Sequence, residues 1–220
     1  MQMDGVGPAR LAPDDKSVIY RGMESERSPW IVAIGASGSE GLGDIKDLLA
    51  ALPDALPAII MIVLHRGWHQ PTNLREILAR ECTLPVIIAA EGERLEVGKV
   101  YIGEPAQHLT LAANTFGNLT DGPDRDYGGR TVDLLFNSVA AHAGKRMIGV
   151  VLSGALDDGS RGLAAIHKAG GISMVLTPAF PLERGMPENA VIFDGPISLI
   201  GDSKHIADGI CAASAVQNFS

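Results

Sequence analysis

The apolar positions of this chain fall into short continuous runs separated by helix-spaced segments. Trp30 to Ile34, Ala58 to Leu64, Leu84 to Ala90, Ile148 to Leu152 and Ile172 to Leu176 are almost wholly apolar and rich in branched side chains. Runs of that length, bounded by turn residues, predict strands buried on both faces. Between them, Asp44 to Leu52, Asn73 to Arg80, Thr131 to Ala143 and Ser160 to Ala169 repeat their apolar residues at three and four, as amphipathic helices do. Met186-Pro187-Glu188 opens a short helix, Ile197 to Ile200 is a last edge strand, and Asp202 or Ser203 caps a final helix from Lys204 to about Ala213. Alternation of strand and helix predicts an α/β fold: a doubly wound, mainly parallel sheet with helices on both faces. Lys99 to Gly103 and His108 to Ala112 break the rhythm and predict a small antiparallel hairpin, while Gly117 to Arg130 reads as a polar loop.

The 220 residues divide into a leader, 1–28, without periodicity, and one domain, 29–220. With 46% hydrophobic and 20% charged residues a sizeable core is available. No apolar run is long enough to span a bilayer and no secretory signal is visible, so a cytoplasmic protein without membrane insertion is expected. Cys82 and Cys211 stand outside metal-type spacing and fit a reducing compartment. A net charge of −8 without a basic cluster argues against nucleic acid.

Three polar residues close three of the predicted strands: Ser37, His65 and Asp158. In a parallel sheet all such exits lie on one edge, where ligands bind. A hydroxyl, an imidazole and a carboxylate are the parts of a nucleophilic triad. Each also has a plainer reading: Ser37 as a helix N-cap, His65 as a surface or hydrogen-bonded histidine, Asp157-Asp158-Gly159 as turn and cap. Gly35, Gly38 and Gly41 space like a nucleotide-binding turn, but the acidic residue such a turn needs at the next strand end is replaced by His65 and Arg66.

Taken in order, Ile34-Gly35-Ala36-Ser37, His65 after its apolar run, Glu91-Gly92-Glu93-Arg94, Gly98 to Ile102, Asp121-Gly122-Pro123, Val132-Asp133-Leu134-Leu135-Phe136, Val151-Leu152-Ser153-Gly154, Asp158-Gly159, Ala169-Gly170-Gly171 and Gly185-Met186-Pro187 resemble the catalytic domain of the chemotaxis-receptor protein-glutamate methylesterases. The resemblance runs from about Trp30 to Ala213. It implies a serine esterase without metal or organic cofactor, with Ser37 as nucleophile, His65 as base and Asp158 as orienting acid. Gly38, Ala155 and Met186 are the implied substrate- or oxyanion-facing positions. The implied substrates are glutamate methyl esters, and also glutamines, on the cytoplasmic helices of chemotaxis receptors. The departures lie in the substrate-facing loops: Gly38-Ser39-Glu40 after the serine, Arg66-Gly67-Trp68-His69 after the histidine, Ala155 in place of a methionine, and Gly129-Arg130-Thr131 before the Val-Asp helix. Relatives commonly carry a receiver domain ahead of this one, and 28 residues are too few for it, so the expectation is either a stand-alone version or a part of a longer chain. The altered loops motivate the alternative of a non-catalytic regulatory or binding module on the same fold; a nucleotide-binding domain is the third reading.

Overall fold

The computed structural model describes residues 28–65, 73–103, 107–121, 129–178, 185–193 and 195–215. Residues 1–27 of the expected leader, and Arg66 to His69 after His65, lie outside them. Among the described residues, nine strands and six helices follow in the order β1 Trp30–Ser37, α1 Gly38–Ala50, β2 Ala58–His65, α2 Leu74–Ala79, β3 Val86–Ile88, β4 Val100–Ile102, β5 Gln107–Ala112, β6 Phe116–Asp121, α3 Thr131–His142, β7 Met147–Val151, α4 Ser160–Lys168, β8 Ile172–Leu176, α5 Met186–Ile192, β9 Leu199–Gly201 and α6 Ser203–Ala215. Seven strands form one sheet in the order β3-β4-β2-β1-β7-β8-β9, every neighbouring pair parallel.

Each central strand feeds two cores, because successive side chains point to opposite faces. Val32, Ile34, Ile60, Ile62, Ile148 and Val150 meet α1, α2 and α6 through residues such as Ile45, Leu48, Leu78, Ile206 and Ile210. On the other face Ile31, Ala33, Ile59, Met61, Met147 and Val151 meet α3, α4, α5 and the β5–β6 hairpin. The expected doubly wound architecture is therefore present. β1 and β7 are its switch point: connections leave them in opposite directions, which opens a crevice at their carboxyl ends.

Two expectations need correction. The hairpin is β5 with β6, joined by a 3₁₀ turn at Ala113–Thr115, and Val100–Ile102 belongs instead to the parallel sheet. Its three residues are all buried, and the Tyr101 hydroxyl accepts the Glu96 N–H at 3.0 Å. β6 lies in the stretch read as a loop, and pairs along its length with β5 despite Gly117 and Asn118. The second correction is at the first strand. β1 runs through Ser37 and α1 begins at Gly38, so no glycine turn separates them. The final helix starts one residue earlier than expected, and Asp202 Oδ1 accepts the His205 N–H at 2.8 Å, as a cap should.

Candidate active site

Ser37 and His65 are the last residues of β1 and β2 and are register partners. Register partners in a parallel pair project to the same face, and both continue the odd-numbered set that faces α3, α4 and α5. Ser37 occupies the N-cap position of α1 with an extended backbone, φ −142° and ψ 144°, yet its hydroxyl makes no capping hydrogen bond. Its own N–H is held by Ser153 O at 2.9 Å. That bond, with Asp44 Oδ2 accepting the Ser153 N–H at 3.1 Å, ties the exit of β7 against β1 and α1.

The three glycines of the Gly35-Gly38-Gly41 pattern answer separate needs, two of packing and one of backbone conformation. A methyl on Gly35 would lie 2.1 Å from Val132 Cγ1, and one on Gly41 would lie 2.5 Å from Ser153 O. Gly38 takes φ +71°, a left-handed turn into the helix. Close approach at Gly35 and Gly41 and backbone conformation at Gly38 explain the pattern without a phosphate.

Asp158 follows β7 and is 6% exposed. Its Oδ2 accepts the Val132 N–H and its Oδ1 the Asp133 N–H, each at 2.9 Å. It therefore caps α3, a helix that begins 27 residues earlier in the chain, rather than the helix it precedes. Burial is the largest influence on this carboxyl and raises its pKa; the Asp133, Val132 and Gly159 amides oppose that, and the Asp133 carboxylate adds to it. Val132 links Asp158 to β1, because its side chain sits on Gly35, two residues before Ser37 on the same face.

Asp157 turns outward. Arg130 holds both of its oxygens, at 3.0 and 2.9 Å, and reaches Asp133 Oδ2 at 3.0 Å with its other nitrogen. Those hydrogen bonds depress the Asp157 pKa and raise that of Arg130. Asp133 also accepts the Gly162 N–H at 2.7 Å, so one carboxylate joins α3 to α4.

Gly154 brings Met186 to the site. A methyl there would lie 2.3 Å from Met186 Sδ and 2.7 Å from Ser37 Cβ, so both side chains crowd the same point. Met186 is fully buried, and its N–H donates to Gly154 O at 2.8 Å, so that amide is already committed. Ala155 is exposed and bridges Gly185 in antiparallel fashion; Gly38 is exposed at the start of α1. Sequence reasoning missed Asp44, Arg130, Asp133 and Asn189, whose polar contacts cross between distant segments and leave no periodic trace. Among the described residues no cluster of His, Cys, Asp and Glu could hold a metal, and no helix is long and apolar enough to cross a membrane.

A family model described as CheB methylesterase matches residues 32–210. The protein-glutamate methylesterase/protein-glutamine glutaminase of Pectobacterium atrosepticum is 35% identical over 191 residues, 86% of this chain and 54% of that protein. Its namesake from Salmonella typhimurium is 34% identical over 188 residues, 84% of this chain and 53% of that protein. The chain spans about half the length of the curated relatives it matches. The crystal structure of the Thermotoga maritima CheB methylesterase catalytic domain superimposes with a TM-score of 0.74 at 26% identity, covering 84% of this chain and 98% of that one.

Proposed function

This chain belongs to the CheB methylesterase family, and on that footing we propose that it is a serine esterase that hydrolyses glutamate methyl esters on the cytoplasmic helices of chemotaxis receptors. It acts in the cytoplasm and also removes ammonia from glutamine side chains at the same site. The observation that carries this reading is Ser37: it stands where a capping serine would, its hydroxyl does not cap, and its register partner is His65.

Ser37 Oγ attacks the ester carbonyl and His65 takes the proton. The C–O bond to the methoxy group then breaks and His65 returns the proton to it, releasing methanol. Water activated by His65 hydrolyses the acyl-serine and leaves the glutamate carboxylate. Asp158 is the orienting acid in this reading. A carboxylate has about four lone-pair positions and two are used by α3, so capacity for an imidazole N–H remains.

The oxyanion forms beside β1. Gly154 abuts Ser37, and the Ala155–Gly185 bridge fixes the residue that follows it. That supports Ala155 as one donor, and Gly38, at the amino end of α1, as a second. Met186 contributes packing, since its amide is taken.

The test is methanol release from methylated receptor by the chain and by its Ser37→Ala variant. Loss of release in the variant supports the reading; equal rates would refute it. A binding module without catalysis is the second reading, favoured by the capping role that Asp158 has regardless of chemistry. It predicts receptor binding without any Ser37-dependent release.

A further inference from the structure

The segment from Ser153 to Asp158 contains a leucine that neither packing nor backbone preference explains. Leu156 has φ +68°, in the left-handed region that leucine avoids and glycine or asparagine accepts. Its side chain is 73% exposed, so burial does not compensate. The conformation is imposed from both sides. Asn189 Nδ2 donates to Leu156 O at 2.6 Å, the Gly154 carbonyl is held by the Met186 N–H, and Asp157 is clamped by Arg130. Strain of this kind persists at sites where it serves a function.

We propose that Leu156 is a specificity-determining residue of the esterase, an apolar contact that selects protein substrates carrying an apolar side chain beside the ester-bearing glutamate. The proposal rests on the esterase reading above. Leu156 stands two residues after Gly154, which abuts Ser37, and next to Ala155, so it borders the reacting centre. Its charged neighbours Asp157 and Arg130 neutralise one another in a two-bond pair, which leaves the leucine as the projecting group. Ile192, 81% exposed, follows Asn189 by one turn of α5 and extends the same apolar character. The hydrolytic step is unchanged: methanol leaves, water enters, and Leu156 takes no proton or bond.

The experiment compares two methylated helical peptides, one with leucine and one with serine flanking the glutamate methyl ester, as substrates for the full chain and for Leu156→Gly and Leu156→Asn. Both replacements accept the left-handed backbone, so thermal midpoints should equal or exceed that of the unaltered chain. We expect the unaltered chain to prefer the leucine-flanked peptide by roughly tenfold in kcat/KM, through KM. Both variants should lose that preference, their KM for the leucine-flanked peptide rising roughly tenfold while kcat moves little. A preference that survives in both variants overturns this proposal alone. Absence of Ser37-dependent hydrolysis of either peptide by the unaltered chain overturns the esterase reading and this proposal with it.

Discussion

Placing one methyl on Gly35 tests whether β1, which ends at Ser37, and Asp158 are mechanically joined. In Gly35→Ala the new carbon would lie 2.1 Å from Val132 Cγ1, whereas non-bonded carbons settle near ~3.5–4.0 Å. Val132 is fully buried, so the first turn of α3 must retreat or β1 must bend. Overpacking of this kind costs about 1–3 kcal/mol. The retreat also pulls the Val132 N–H from Asp158 Oδ2, now 2.9 Å away, so turnover should fall further than stability alone explains. Val132→Ala removes the obstructing methyls and by itself costs about 2 kcal/mol, from two buried methyls and the cavity they leave. Combined with Gly35→Ala it moves a methyl from helix to strand, so the double variant should be about 1–2 kcal/mol more stable than the two single losses predict. Urea unfolding gives the stabilities and methanol release gives kcat. The control is Ile206→Val in the opposite core, which costs about 0.5–1.5 kcal/mol and should leave kcat unchanged. Additivity of the two changes to within about 0.5 kcal/mol, or a Gly35→Ala enzyme with full kcat, would refute the coupling.

Removing the hydroxyl in Ser37→Ala should change stability by less than about 0.5 kcal/mol, against about 1 kcal/mol for a capping serine, because Ser37 does not cap; thermal unfolding checks it. Asp158→Asn should cost about 1–3 kcal/mol, since an amide NH₂ would face the Val132 or Asp133 N–H, and should lower kcat as well; denaturation and methanol release measured together test both. The raised pKa of Asp158 means the folded chain holds that proton more tightly than the unfolded one, so its contribution weakens stability as pH rises from the ordinary carboxylate value through the raised one. The depressed pKa of Asp157 works oppositely: its pairing with Arg130 is fully present above the ordinary carboxylate value and is lost as pH falls through the lower folded one. Asp157→Asn should therefore cost less than about 1 kcal/mol at pH 7, the pair being half exposed, and the difference should vanish in strong acid; melting curves across pH decide it.

The sheet was legible because its strands are buried on both faces and read as unbroken apolar runs, as β1, β2 and β7 do. β4 misled because three residues between Lys99 and Gly103 carry too little pattern to separate a parallel strand from a hairpin arm. β6 misled because its strand character comes from pairing with β5, not from its own Gly-Asn-Leu-Thr composition. Ser37, His65 and Asp158 stood out as candidates because strand exits share an edge. Their surroundings did not. That Asp158 caps α3, that Arg130 grips Asp157, and that Met186 meets Ser37 across Gly154 are contacts between distant segments, set by three-dimensional packing alone.

The bonds of Asp158 to the start of α3 also bear on how such a chain would drift if its chemistry were no longer needed. Selection for folding alone would keep that aspartate, because losing it uncaps a buried helix. Ser37 has no comparable hold: its side chain makes no capping bond, so nothing in the scaffold would defend the hydroxyl. Across descendants of this fold, a retained aspartate therefore says little about catalysis, and a retained serine at the end of the first strand says a great deal.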